Sequence, residues 1–280
     1  MEPDEALARL RALGFAEDDA QRLFAHFSGA EAHGKPGHGF SRVEWLETLE
    51  LDPAARPERT DVEPGFERWH GRGALGYLVL DTVVRAQLAD PPATARVVVC
   101  EDTFPTGMLG GWVRRLAEGG LVAALTATSP ARLAHPEGGP KLIGTTPLAI
   151  GIPSSDGDPV VSDVAMGRVT YGEVLAGLAR PEELVPFGGE HAHKAFALGL
   201  GLQLLVQALL REDAFGAVLI VARPESDPVP ALRAQAVGVR LPGDGSGLRD
   251  EVRRLAADED DRAEMQIIRE QMGELAPPTD

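Results

Sequence analysis

The chain has 280 residues, 44% of them apolar and 25% charged, and a net charge of −16. That length and apolar share support a substantial core, filled by Leu, Val and Ala because aromatics are only 5%. The acidic balance excludes non-specific binding to nucleic acid or anionic membrane, which needs clustered Lys and Arg, and the single cysteine, Cys100, excludes an intrachain disulfide and a Cys-based zinc site.

The opening MEPDEALARL is acidic and lacks an apolar signal-peptide core, so a cytoplasmic setting is expected. With no uninterrupted apolar run of about 18 residues, no membrane span is expected either. Leu7, Leu10 and Leu13 recur at helical spacing, Gly14 ends that segment, and residues 4–28 are expected to form one or two short helices. After the loop SGAEAHGKPGHGF, the segment SRVEWLETLEL shows Val43, Leu46 and Leu49 at helical spacing, with Ser41 as N-cap. Residues 52–72 are polar and proline-bearing and suggest a linker or irregular stretch. A helix is expected over GALGYLVLDTVVRAQLA, then a doubly buried strand, ARVVVCE, then a helix over GGWVRRLAEGG and a strand over LVAALTAT. PLAIGIP and DPVVSDVA suggest strands, GRVTYGEVLAGLA a short strand or helix, and FGAVLIVARPE a strong strand. HKAFALGLGLQLLVQALLRE is a helix apolar nearly all round, to be buried between elements or at a subunit interface. Residues 248–275 suggest a charged, amphipathic helical tail.

Common nucleotide and hydrolase signatures are missing: there is no GxGxxG after a strand, no GxxxxGK[ST] and no GxSxG elbow. Gly199 and Gly201 fall inside the apolar helix, where close packing explains them. His191 and His193 supply two ligands at strand spacing without an acidic partner pattern, so no metal site is expected.

Five segments, in order, carry a resemblance. GHGFSRVEW, Gly37 to Trp45, resembles a Ser-His-Gly-x-x-Arg segment; GG…LIGTTPLAIGIP resembles Gly-Gly…Leu-Gly-Thr-Asn-Pro-x-Ala-x-x-x-Pro. VVSDVAMGRVTYGEV, GGEHAHKAFALGLGLQLLVQALL and VRLPGDGS are similar to an Asp-x-Ala segment, a Gly-Gly-x-x-Lys-Gly helix and a late Pro-Gly-Glu turn. Together they resemble the type-2 malate/L-lactate dehydrogenase family, which includes ureidoglycolate dehydrogenases and piperideine/pyrroline-2-carboxylate reductases. The resemblance implies a mixed α+β, non-Rossmann fold with a largely antiparallel sheet and an inserted cofactor domain. Residues 1–75 would be the helical part of the first domain, 76–225 the cofactor and catalytic domain, and 226–280 a return to the first domain plus the tail. It also implies a homodimer, NADPH or NADH as cofactor, and a small-molecule carboxylate substrate. Gly139, Thr145, Thr146, Asp163, His193 and Lys194 would meet the cofactor.

The departures concern the chemistry. The family's catalytic histidine falls at Pro105, in EDTFPTGMLGG, and proline carries no transferable proton. The Ser of Ser-His-Gly is Gly37, and an aromatic hydroxyl four residues past the Arg is Leu46. Reducing a ketone needs a proton for the nascent alkoxide, and general-acid help contributes about 10²–10⁴-fold; a protonated imine accepts hydride without it. A C=N substrate is therefore favoured over C=O. His38 is the remaining candidate proton donor and Arg42 the candidate carboxylate clamp, with Asp102, beside Glu101, as a possible replacement acid. Two other readings stay open: a non-catalytic dimeric scaffold, and a pocket reused for non-redox chemistry.

Overall fold

Apolar residues at helical spacing, Ala6 and Leu10 and then Ala20, Leu23, Phe27 and Ala30, build two packed helices, α1 (Pro3–Ala12) and α2 (Glu17–Ala32), in a computed structural model that describes residues 1–236 and 238–244. Gly14, at φ +90°, makes the reversal between them, a conformation that costs glycine little. The tail expected over 248–275 lies outside the described residues. Residues 1–243 form one compact unit.

The 36–38 turn leads into α3 (Ser41–Leu46), shorter than its leucine spacing predicts. Ser41 does not cap it: its hydroxyl donates back to the Pro36 carbonyl at 2.7 Å. Residues 52–72 are not a linker throughout. They hold a hairpin, β1 (Glu58–Glu63) and β2 (Phe66–His70). The polar sequence conceals it because β1 lies at a sheet edge and is largely exposed, whereas β2 buries charged side chains in pairs. Glu67, 1% exposed, accepts from Trp69 Nε1 at 3.0 Å and Gln87 Nε2 at 2.9 Å and faces Arg96 at 3.2 Å. Arg68 donates to Glu101 at 2.8 Å. A buried charge is tolerated only when paired and hydrogen-bonded in this way.

Helix α4 (Gly76–Ala89) follows, then β3 (Ala95–Glu101), α5 (Leu109–Glu118) and β4 (Val122–Ala127). A short hairpin, β5 (Leu133–Ala134) and β6 (Lys141–Ile143), precedes β7 (Leu148–Ile152) and β8 (Val160–Val164). Helices α6 (Tyr171–Leu175) and α7 (Ala192–Leu209) lead to β9 (Ala217–Ala222) and α8 (Val229–Gln235). Among the described residues the main sheet has seven strands in the order β1-β2-β3-β9-β4-β7-β8. Every pair is antiparallel except β2 with β3. The fold is thus mixed α+β with a mostly antiparallel sheet. Helices α1, α2, α4 and α5 cover one face with a core that includes Leu10, Phe27, Leu80, Trp112 and Leu125.

Helix α7 packs against β4 and β6. A Cβ on Gly199 would come within 2.9 Å of Ile143 and 3.1 Å of Met166, so close packing does explain that glycine; Gly201 has open space. The helix is not buried all round: Leu198, Leu204 and Leu205 are 47–55% exposed. By length and composition, Gly189–Leu209 is also apolar enough to cross a membrane, although only about a third of its apolar stretch is buried. A search for uninterrupted apolar residues passes over it because Gly and Gln punctuate the run.

Candidate active site

One cleft of about 340 Å³ opens where loops from most of the elements meet. Its walls are the 34–38 turn with α3, the start of α4, the 104–109 loop, residues 128–132 after β4, Thr145 and Pro147, the end of β8, and the start of α6.

The first wall is held by its own backbone. His38 N–H donates to the Lys35 carbonyl at 2.8 Å, and Phe40 N–H donates to the Glu31 carboxylate at 2.9 Å. Helix α6 begins with a capping box: Thr170 N–H donates to Glu173 at 2.6 Å, and Glu173 N–H donates to the Thr170 hydroxyl at 3.2 Å. Gly37 and Gly172 bring these two walls together. A Cβ on Gly37 would stand 2.7 Å from Glu173 N, and one on Gly172 would stand 2.6 Å from Arg42 Nη2.

His38, Arg42, Thr145 and Asp163 all line the cleft. Arg42 is buried with its guanidinium 5.1 Å from the Trp45 ring centroid, and its Nε has no hydrogen-bond partner among the described residues. The His38 Nδ1 and Tyr77 hydroxyl are likewise buried without a partner among the described residues. Orphaned buried polar groups are rare in folded proteins; three sit on residues lining this cleft. Asp163 accepts from Gly110 N–H at 2.8 Å at the start of α5. Burial pushes its carboxyl above the ordinary range, while that bond and Lys35 pull it down.

The structure leaves the other sequence candidates outside the cleft lining. Asp102 lies at the exit of β3 with φ +48°, and its carboxylate accepts from Gly73 N–H at 2.7 Å. Glu101 is taken up by Arg68. Gly139 is an exposed turn residue of the β5–β6 hairpin, at φ +110°. Thr146 is fully buried, its hydroxyl donating to the Gly144 carbonyl at 3.3 Å. His193 and Lys194 are exposed on the first turn of α7. A sequence motif says that such residues are near one another along the chain, not which way the chain turns between them.

Other cleft residues escaped the sequence reading: Lys35, Tyr77, Ser129, Arg132 and Tyr171. Arg132 stacks over Tyr171 at 4.0 Å. Behind the Pro105 loop, His26 Nε2 accepts from Met108 N–H at 3.2 Å, and its ring stacks on Trp112 at 4.3 Å. Trp112 in turn donates to the Thr106 carbonyl at 2.9 Å. The only sequence signal for this clamp is a His and a Trp within apolar helix faces.

Burial, first of all, pushes both His26 and His38 down to about 3; His38 and Arg115 add to the effect on His26, and Arg42 and Lys35 to that on His38. Between the ordinary value of about 6.5 and about 3, the unfolded chain therefore binds protons that the folded chain refuses. Stability is full above about pH 6.5 and falls as pH drops through that window, by at most about 1.4 kcal/mol per pH unit for each group. Thermal melts from pH 7 to pH 4 are expected to show this decline, and His26→Gln, which keeps an acceptor for Met108, should make it shallower. Equal slopes in the two proteins would refute the assignment to His26.

The residues present would fit a nicotinamide dinucleotide along part of the cleft lining. Ser129, Thr145 and Thr170 offer hydroxyls for ribose and amide groups, Arg132 offers a cation, and Pro130, Pro147 and Ala165 make apolar walls.

A sequence model described as malate/L-lactate dehydrogenase matches residues 4–184. The Δ¹-pyrroline-2-carboxylate/Δ¹-piperideine-2-carboxylate reductase of Pseudomonas putida is 29% identical over 227 residues, which cover 70% of this chain and 65% of that protein. The chain thus spans just under two thirds of the length of that curated relative. A dehydrogenase from Sinorhizobium meliloti has a similar structure, with a TM-score of 0.71 at 26% identity, covering 89% of this chain and 91% of the other. The Δ¹-piperideine-2-carboxylate reductase of Pseudomonas syringae shares the fold at a TM-score of 0.73 and 24% identity, covering 86% and 89%.

Proposed function

Because the chain belongs to the malate/L-lactate dehydrogenase family, we propose that it is an NAD(P)H-dependent reductase of small 2-imino or 2-oxo carboxylates, with C=N substrates favoured. One observation carries the reading: Arg42, His38 and Tyr77 line a single cleft with buried polar atoms that no group among the described residues satisfies. A carboxylate beside a carbonyl or imine supplies the missing acceptors. Arg42 binds the carboxylate, where a guanidinium can donate two parallel hydrogen bonds. His38, uncharged at neutral pH, orients the reacting group by a hydrogen bond. Apolar walls around the cleft exclude water and strengthen both interactions. When bound, the reduced nicotinamide supplies the hydride. Pro105 supplies no proton, which suits an iminium because its nitrogen already carries one.

The reading extends to a homodimer. Leu198, Leu204 and Leu205 of α7, with Ile220 of β9, leave an apolar surface that a second copy of this chain would cover.

Both parts are tested on the same protein. NADPH or NADH is expected to raise its melting temperature and, with Δ¹-piperideine-2-carboxylate, to be consumed as absorbance at 340 nm is lost. A folded protein that binds neither dinucleotide would refute the reductase. Sedimentation velocity should show a dimer that Leu204→Glu dissociates; a monomeric starting protein would refute the assembly.

A further inference from the structure

We propose that the Tyr77 phenol donates a proton to the reacting oxygen of a 2-oxo acid, taking over at the cleft the task for which Pro105 has no group. The proposal rests on the reductase reading and supplies the proton that its 2-oxo substrates need.

Tyr77 stands on the first turn of α4 and is 1% exposed, yet it lines the cleft and its hydroxyl has no hydrogen-bond partner among the described residues. Its ring is wedged between Phe27, edge-on at 5.1 Å, and His26 at 5.4 Å, so the phenol is held in place. It also touches the loop that carries Pro105: a Cβ on Gly107 would come within 2.6 Å of Tyr77 Cε1. The Tyr77 ring therefore lies against the segment from which the expected acid is missing.

Other cleft groups suit the task less well. His38, uncharged at neutral pH, could give only the proton of a neutral imidazole, a far weaker acid than a phenol. Asp163 has one carboxylate oxygen committed to Gly110, Lys35 is exposed at the rim, and Tyr171 is stacked under Arg132. Burial raises the Tyr77 phenol above its ordinary value of 10, and Arg42 draws it back. It is thus protonated at neutral pH and has a proton to give.

The step balances with reduced nicotinamide as the hydride source. As hydride reaches the carbonyl carbon, the π electron pair moves to oxygen. That oxygen takes the Tyr77 proton while the phenol O–H bond breaks. The phenolate, stabilised by the charge of Arg42, regains a proton from solvent.

The test compares wild type with Tyr77→Phe. Oxalate places a second anionic oxygen where the alkoxide would form; acetate does not. By calorimetry the variant should bind oxalate at least ~10-fold more weakly and acetate within about twofold of wild type, since a hydrogen bond to a charged acceptor is lost in only one case. In single turnovers it should reduce pyruvate ~100-fold more slowly and lose less on Δ¹-piperideine-2-carboxylate, whose iminium already carries its proton. Removing an unpartnered buried hydroxyl should leave the melting temperature unchanged or higher. Equal oxalate affinity and equal pyruvate reduction in the two proteins would overturn the role of Tyr77 alone. A wild type that binds neither oxalate nor acetate would overturn the reductase reading, and this proposal with it.

Discussion

Arg42→Met is expected to abolish binding of small carboxylates while leaving the protein as stable as before, or more so. The reason is the electrostatics of the site. Arg42 is 8% exposed, its Nε is unpartnered, and no ion pair to it is found among the described residues. A buried guanidinium without a counter-ion carries a desolvation cost that the Trp45 face, 5.1 Å away, offsets only in part. Methionine fills similar volume without the charge. Truncating one member of a buried charge pair costs about 2–5 kcal/mol of binding, so oxalate affinity should fall by roughly 30-fold or more. Arg42→Lys should restore little of it, because an ammonium cannot present two parallel donors. Calorimetry and thermal melts check both halves. An Arg42→Met protein that binds oxalate like wild type, or that unfolds well below it, would show that the residue is structural instead.

The second large effect is expected from Gly172→Ala. In most helices this change helps, by up to about 1 kcal/mol. Gly29, late in α2, has nothing within 4 Å of its would-be Cβ, and Gly29→Ala should follow that rule. At Gly172 the new methyl would fall on the Gly37 carbonyl oxygen and stand 2.6 Å from Arg42 Nη2. Neither backbone obstacle nor packed guanidinium can rotate away, so α6 must separate from the 36–38 turn. Overpacking of this kind costs about 1–3 kcal/mol, and at about 2–4 °C per kcal/mol in a chain of this size the melting temperature should drop by several degrees. Because the same methyl displaces Arg42, oxalate binding should fall with it. Opposite signs for the two glycines are the expected result. A stabilised Gly172→Ala protein with normal oxalate affinity would mean that the two walls do not need to touch.

The cleft depends on contacts between segments far apart in sequence. Gly37 meets Glu173, His26 meets Met108, and Asp163 meets Gly110. That is why the 34–38 turn and the start of α6 are so tightly built from local bonds: each must arrive already shaped to fit the other.

Regular elements with strong local patterns were legible without any structure. Helices α1, α4, α5 and α7 and strands β3, β4, β7, β8 and β9 lie where periodicity and Gly/Pro punctuation place them, because both signals act over only a few residues; α2 runs on to Ala32, through the start of the loop expected from Ser28. The ordered motifs pointed to the family and its mixed α+β, mostly antiparallel fold, and they brought His38, Arg42, Thr145 and Asp163 forward as candidates, all of which line the cleft. The hairpin of β1 and β2 was hidden, because its charges are buried only through partners such as Gln87, Arg96 and Glu101 elsewhere in the chain. Chain folding alone decided that Asp102, Gly139, Thr146, His193 and Lys194 stay off the cleft lining, and that Tyr77, an unremarkable helix residue in sequence, stands on it. Sequence patterns record which face of an element is apolar; whether a polar side chain on that face finds a partner or is left facing a cleft depends on every other segment that packs around it.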